Sequence, residues 1–344
     1  MKNKIRLNNN SLSRRDFIRL SIAGAAAGLP LVGNASSSFA KEIYPADKIN
    51  WIVPYKPGGG FDLVARGLSP YVTQYLREIA RGAKGGGIVL KNEPAAQGQK
   101  AYNMVYNAKP DGYTIGGFDI GFVTETLLNK LDFDIEKYTF LLRAMSTTRV
   151  IVTRKSGFGN WDEMVKSAKT KELKWGTGSY MKSTQIESII IAERVGITPR
   201  YIPWGGTAEC MNALMRGDVQ ASLVSEDSVK GLIDSGEIKV LAVIAATSKY
   251  QGTPTIKELG YPDLIEKMGA HRFVIAPPNL SKEIKTILIA AFKKAFTDQD
   301  FQGWAKKIDI PLNPLYGDQA EAEAKRMFKY YQNDVKPIVM KYAK

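Results

Sequence analysis

Val53-Pro54-Tyr55-Lys56-Pro57-Gly58-Gly59-Gly60-Phe61-Asp62 is the stretch that decides the fold. An apolar run, Trp51-Ile52-Val53, leads into it, and Val64, Leu68, Val72, Tyr75 and Leu76 follow at helical spacing. A strand therefore passes through a glycine-rich turn into a helix. Such a turn presents free backbone N–H groups at a helix start, where partial positive charge suits an anion. Glycine also serves turn geometry alone, so the weight comes from repetition. Gly176-Thr177-Gly178-Ser179 precedes a helical segment near Thr184, and Gly205-Gly206-Thr207 precedes another from Ala208.

Outward from these turns the chain keeps a βαβ rhythm. Strands are predicted at Asn50–Val53, Gly87–Leu90, Tyr113–Gly116, Arg149–Thr153, Leu173–Gly176, Ala221–Val224, Val240–Ile244 and Arg272–Ile275. Amphipathic segments fill the intervals and close the chain, the last over Asp318–Tyr342. The expectation is an α/β protein with largely parallel sheets. The strands at Arg149 and Arg272 flank a middle block of about 120 residues, an ordinary domain size. We therefore expect residues 41–147 plus 277–344 to form one lobe and 148–276, hinge strands included, a second. The first glycine turn falls in one lobe and the other two in the second. Donors facing one cleft from both lobes would suit a small molecule bearing a carboxylate.

Residues 1–40 have a different character. Lys2, Lys4, Arg6, Arg14, Arg15 and Arg19 against Asp16 give this segment +5. Ser13-Arg14-Arg15-Asp16-Phe17-Ile18-Arg19 precedes the apolar run Leu20–Val32, and Ser38-Phe39-Ala40 supplies small residues for cleavage. This layout is that of a signal peptide resembling the twin-arginine export type, cut after about Ala40. The expected location is the periplasm, and the twin-arginine machinery is an expected partner. The formal net charge of +14, less that +5, leaves +9 on the remainder. Its Lys and Arg are scattered without an aromatic–basic stripe, so no nucleic acid is expected; the charge suits attraction of anionic ligands. Cys210 is the single cysteine, which excludes an internal disulfide, and a lone histidine argues against metal or other cofactors.

The catalytic motifs fare poorly. Gly58–Gly60 lacks a G-x-G-x-x-G pattern and no glycine run is followed by G-K-[ST]. Ser179-Tyr180-Met181-Lys182 matches S-x-x-K, but no K-T-G occurs in the chain. A hydrolase using Ser179 and Lys182 is retained only as an alternative to a non-enzymatic receptor. Asp62 has two readings, an N-terminal helix charge favoured by the dipole or a partner for a ligand amine or hydroxyl.

Ile52–Asp62 followed by Ala65-Arg66 resembles the opening of the solute receptors of tripartite tricarboxylate transporters, the Bug family of periplasmic binding proteins. The likeness runs on through Asn92-Glu93-Pro94, Pro110-Asp111-Gly112-Tyr113-Thr114, Gly176–Ser179, Ile202–Thr207, Arg216–Val219, Leu241–Val243, Pro254–Gly260 and Ile275–Pro277. The resemblance implies a two-lobed α/β fold, type II-like, with a ligand cleft between lobes joined by two crossing strands. It implies a monomer that closes on a small organic acid and delivers it to an inner-membrane permease. An alternative is a sensor that presents its closed form to a membrane kinase. The ligand-binding residues carried over are Tyr55, Gly58, Gly59, Gly60, Phe61, Thr177, Gly178, Ser179, Gly205, Gly206 and Thr207. Asp62, Asp119, Ser225, His271 and Arg272 complete the candidate set.

The sequence departs from the family around this pocket. Asn92–Gly98 lacks the usual run of glycines, and Gln185 stands near the place of a histidine. Ser225-Glu226-Asp227 replaces a common aspartate, and His271-Arg272 stands where an aromatic residue is usual. Arg272 has two readings, a bidentate partner for a second ligand carboxylate or one half of a structural ion pair.

Overall fold

The computed structural model describes residues 43–58, 60–308 and 310–342. The expected export signal, its cleavage point and Gly59 lie outside the described residues. The glycine turn joins β1 (Ile49–Val53) to α1 (Gly60–Ile79). Then come β2 (Ile88–Asn92), α2 (Gln99–Tyr106), β3 (Thr114–Asp119), α3 (Val123–Leu128) and β4 (Thr139–Thr147). The middle segment runs β5 (Arg149–Arg154), α4 (Trp161–Ala168), β6 (Lys174–Thr177), α5 (Ser183–Val195), β7 (Arg200–Pro203), α6 (Thr207–Arg216), β8 (Ala221–Ser225), α7 (Glu226–Asp234) and β9 (Ile238–Ile244). The chain ends with β10 (Ala270–Ala276), α8 (Lys282–Thr297), α9 (Gln299–Lys307), β11 (Leu315–Tyr316) and α10 (Asp318–Tyr330). A π-helical turn over Tyr331–Val335 carries α10 into α11 (Lys336–Tyr342).

Two sheets result, ordered β11-β4-β10-β3-β1-β2 and β7-β6-β8-β5-β9. The expected largely parallel pairing is corrected: both sheets are mixed. β1 runs parallel to β2 and β3, and β6 to β7 and β8, as helical crossovers require. β10 is antiparallel to β3 and β4, and β5 is antiparallel to β8 and β9. The reason lies in the connection between sheets. The chain leaves the six-stranded sheet along β4, enters the other along β5 after Thr148 alone, and returns along β10. Outgoing and returning strands side by side must run in opposite directions. β4, β7 and β11 are strands beyond those the sequence predicted.

One face of the six-stranded sheet is covered by α1 and α8, where Trp51, Leu68, Leu76, Leu288 and Phe292 form a core. The other face shares a continuous core with the middle segment, in which Phe118 and Phe140 belong to the same apolar cluster as Trp175, Ile186 and Leu241. The C-terminal helices contribute Phe328, Tyr331 and Val339 to that cluster. At its end Lys341 Nζ lies 2.7 Å from Glu193 Oε1 on α5. No helix among the described residues is long and apolar enough to cross a membrane.

Candidate functional site

The carboxyl ends of β1, β3, β6 and β7 open onto one cavity of about 630 Å³. That is where ligands sit in open α/β sheets. Its lining combines residues from both sheets: Tyr55, Gly60, Phe61 and Asp119 from the first, Gly178, Ser179 and Gly205–Thr207 from the second, with Arg272 from β10.

The glycine turn after β1 is pinned by Asp62. Gly58 takes φ +87° and its N–H donates to Asp62 Oδ2 at 2.9 Å. Arg66 Nε and Asn92 Nδ2 donate to the same carboxylate at 2.7 and 2.8 Å. Burial would raise the Asp62 carboxyl, but the bonds from Arg66, Gly58 and Asn92 outweigh it and hold the group below its ordinary value. Asp62 is thus buried in the service of the turn and does not line the cavity. Gly60 stands closer to the site. A Cβ there would meet Arg272 Nη1 at 2.9 Å, so only glycine lets the guanidinium lie against the start of α1.

On the opposite wall, Lys182 and Gly206 are the N-cap residues of α5 and α6, and neither helix start has a side-chain cap. The two N-terminal ends therefore face the cavity with uncapped N–H groups beside Gly178–Ser179 and Gly205–Thr207.

Asp119 closes β3. Its Oδ1 accepts from Gly121 N at 2.8 Å and its Oδ2 from the Tyr55 hydroxyl at 3.1 Å. Arg272 pairs with Asp119 in the β10–β3 register. Its Nη1 donates to Met145 Sδ at 3.3 Å, its Nη2 is 4.0 Å from Asp227 Oδ2, and the guanidinium lies 5.8 Å from the Phe61 ring centre.

Three other candidates sit behind the cavity wall. Thr177 is fully buried at the end of β6. Ser225 is buried and bonded to the Arg149 guanidinium and the Thr147 hydroxyl. Arg149 is itself a buried ion pair, with Nε 2.7 Å from Glu187 Oε2, and it reaches Ser183 Oγ on the lining at 3.1 Å. His271 neighbours Arg272 on β10, so strand alternation sends it to the other face. There its Nδ1 lies 3.6 Å from Glu323 Oε1. Neither ring nitrogen has a hydrogen-bond partner among the described residues. Burial pulls its pKa down to about 4.

The lining also includes residues that sequence reasoning passed over, among them Tyr102, Gly121, Phe122, Ser183 and Thr184. Tyr102 and Phe122 carry no outward signal of a site, each being almost wholly buried. The extension of β3 past Gly116 to Asp119, which carries Gly121 and Phe122 to the rim, has no local signal.

The hydrolase alternative lacks its geometry. Ser179 Oγ donates to its neighbour Gly178 O at 2.6 Å, while Lys182 Nζ forms an ion pair with Glu125 on α3. A nucleophile needs a base within hydrogen-bond reach, and here the lysine is engaged elsewhere. Among the described residues no cluster of His, Cys, Asp or Glu could hold a metal ion.

A family model described as "Tripartite tricarboxylate transporter family receptor" matches residues 72–342. The chain belongs to this family. It is accordingly a receptor of the solute-binding kind. The receptor is 25% identical to "UPF0065 protein in gbd 5'region" of Cupriavidus necator over 313 residues, 89% of this chain and 91% of that one. A TctC solute binding protein from Polaromonas superposes with a TM-score of 0.71 at 22% identity, covering 87% of the receptor and 99% of that chain. MatC from Rhodopseudomonas palustris, solved with bound malate, gives a TM-score of 0.68 at 19% identity, covering 86% and 100%. These likenesses show the periplasmic-binding-protein fold with its two sheets.

Proposed function

We propose that this receptor captures a small organic carboxylate in the cavity between its sheets and passes it to the permease of a tripartite tricarboxylate-type transporter. The observation that carries the reading is the pair of uncapped helix starts, α5 and α6, on one wall of a cavity shared by both sheets. The family description supports the transporter partner, and the malate held by MatC supports the ligand class. Tyr55, Gly60, Phe61, Asp119, Gly178, Ser179, Gly205, Gly206, Thr207 and Arg272 are the proposed contacts.

In this reading residues 41–147 plus 277–344 and residues 148–276 act as two lobes turning about Thr148. Ligand bridging both walls selects the closed arrangement. The twin-arginine-like leader of residues 1–40 supports export to the periplasm before cleavage. The test is melting of the purified protein against a panel of organic acids, since a ligand bound only by the folded state raises the melting temperature by mass action. A shift with one or more acids is expected; a well-folded protein that shifts with none overturns the reading.

A further inference from the structure

Arg149 stands behind the cavity wall and grips α5 at two successive turns. Its Nη2 donates to Ser183 Oγ at 3.1 Å, and its Nε and Nη2 donate to the two carboxylate oxygens of Glu187 at 2.7 and 3.3 Å. Ser183 and Glu187 lie one turn apart and share a face of the helix. Ser183 is the first residue of α5, whose start has no side-chain cap. The arginine therefore holds the turn that offers free N–H groups to the cavity. Of the residues in this network, only Ser183 is among the described lining residues.

The other bonds of the pair lead to the two crossings between the sheets. Arg149 opens β5, and Thr148 alone separates it from β4. Its Nη1 donates to Ser225 Oγ at the end of β8, and the same oxygen accepts from the Thr147 hydroxyl, at the end of β4, at 3.3 Å. On the return, the N–H of Gly269, just before β10, donates to Glu187 Oε1 at 3.3 Å. Gly269 takes φ +132°, and a Cβ there would meet the Thr147 carbonyl oxygen at 2.9 Å, so the outgoing and returning crossings touch at this point. Both crossings and the helix that begins the second-sheet wall thus meet on one buried ion pair. Such a pair is weak evidence for stability and is better suited to fixing one arrangement. The planar fork of arginine, which reaches several partners at set angles, suits that use.

We propose that Arg149 and Glu187 are positioning residues: they fix where the start of α5 stands relative to the first-sheet wall, and so set the affinity of a cavity they do not line. The inference rests on the receptor reading above and adds how its two walls are kept in place. The test is titration calorimetry of the full chain with malate, adipate, citrate and glutamate, the tightest binder being carried to the variants. Arg149→Lys keeps a cation beside Glu187, but one ammonium cannot serve Glu187, Ser225 and Ser183 together. Arg149→Met combined with Glu187→Leu removes the pair and leaves no buried charge unpaired. Both should bind the chosen acid about tenfold more weakly, with the number of sites per chain unchanged. A purely structural role gives a different result. Affinity would then return with stability in the double variant, or part of the sample would unfold and lower the number of sites at unchanged Kd. Either result overturns the positioning role and leaves carboxylate capture standing. If neither variant folds, Ser225→Ala, behind the wall and off the lining, should also lower affinity, and unchanged affinity overturns the proposal. An unaltered chain that binds none of the acids overturns the receptor reading and this inference together.

Discussion

Arg272 and Asp119 face each other directly across β10 and β3, yet their charged ends are given to different partners. Opposite charges at paired positions of an antiparallel ladder are near enough to meet. Here the guanidinium reaches Met145, Asp227 and the Phe61 face while the carboxylate takes the Tyr55 hydroxyl. The strand pair therefore offers the cavity one group of each sign.

A guanidinium carries five N–H donors, and among the described residues Arg272 gives a hydrogen bond only to a thioether sulfur. Arg272→Met should therefore weaken binding of the acid found in the melting screen by about 10- to 100-fold. Calorimetry on the two proteins reads this directly. Unchanged affinity would mean that the guanidinium serves Asp227 alone.

Gly206 begins α6 at φ +150° and ψ 175°, a region open essentially to glycine. Nothing lies within 4 Å of a Cβ placed there, so alanine would act through the backbone and not through a clash. Gly206→Ala should strain the turn by about 1–3 kcal/mol and lower ligand affinity. Gly196 caps the other end of α5 at φ +72°, also in open space. Gly196→Ala should cost about 1 kcal/mol of stability with affinity untouched. Melting and calorimetry on both variants separate the two effects.

Arg149 and Glu187 form an ion pair with both side chains almost wholly buried. Removing one member leaves the other charged and unpaired, which costs about 3–5 kcal/mol. Denaturant unfolding of Arg149→Met should show that loss, and Arg149→Met combined with Glu187→Leu should recover most of it.

His271 supplies a pH dependence. Its folded pKa of about 4 lies below the ordinary 6.5 because burial disfavours the charged ring, and the nearby Glu323 carboxylate offsets this only in part. The unfolded chain therefore binds the proton first as pH falls. The stability contribution is full above about pH 6.5 and is lost as pH drops toward about 4. Between about pH 7 and about pH 5 the loss should be about 2 kcal/mol. His271→Phe should flatten unfolding free energy over that window; an unchanged slope would assign the dependence to other groups.

What the sequence disclosed follows from what is local. The turns at Gly58, Gly178 and Gly205 were legible because glycine and a following helical period sit within a few residues. The helix over Trp161–Ala168 is local in the same way, since Asn160 caps it and apolar positions recur along it. β4 was not legible: Thr139–Thr147 owes its strand form to β10 and β11, which come much later in the chain. At the site, the sequence placed His271 and Arg272 together in the pocket. Only the pairing of β10 decides that alternate residues part, with Arg272 toward the cavity and His271 toward Glu323. Asp119 was named as a candidate, but its partnership with Tyr55 depends on the two strand ends meeting.

The strand order also fixes a calendar for synthesis. All five strands of the second sheet lie between Arg149 and Ile244, so that sheet is complete once this stretch has left the ribosome. The first sheet begins earlier and finishes last, because β10 must slot between β3 and β4. Until it does, β3 and β4 present open edges, which invite pairing with other chains. Arg272 rides on that inserted strand, so the binding cavity and the joining of β3 to β4 are completed by the same event, and only the edge strand β11 is added afterwards. A nascent chain halted before residue 270 would hold a finished second sheet and no receptor.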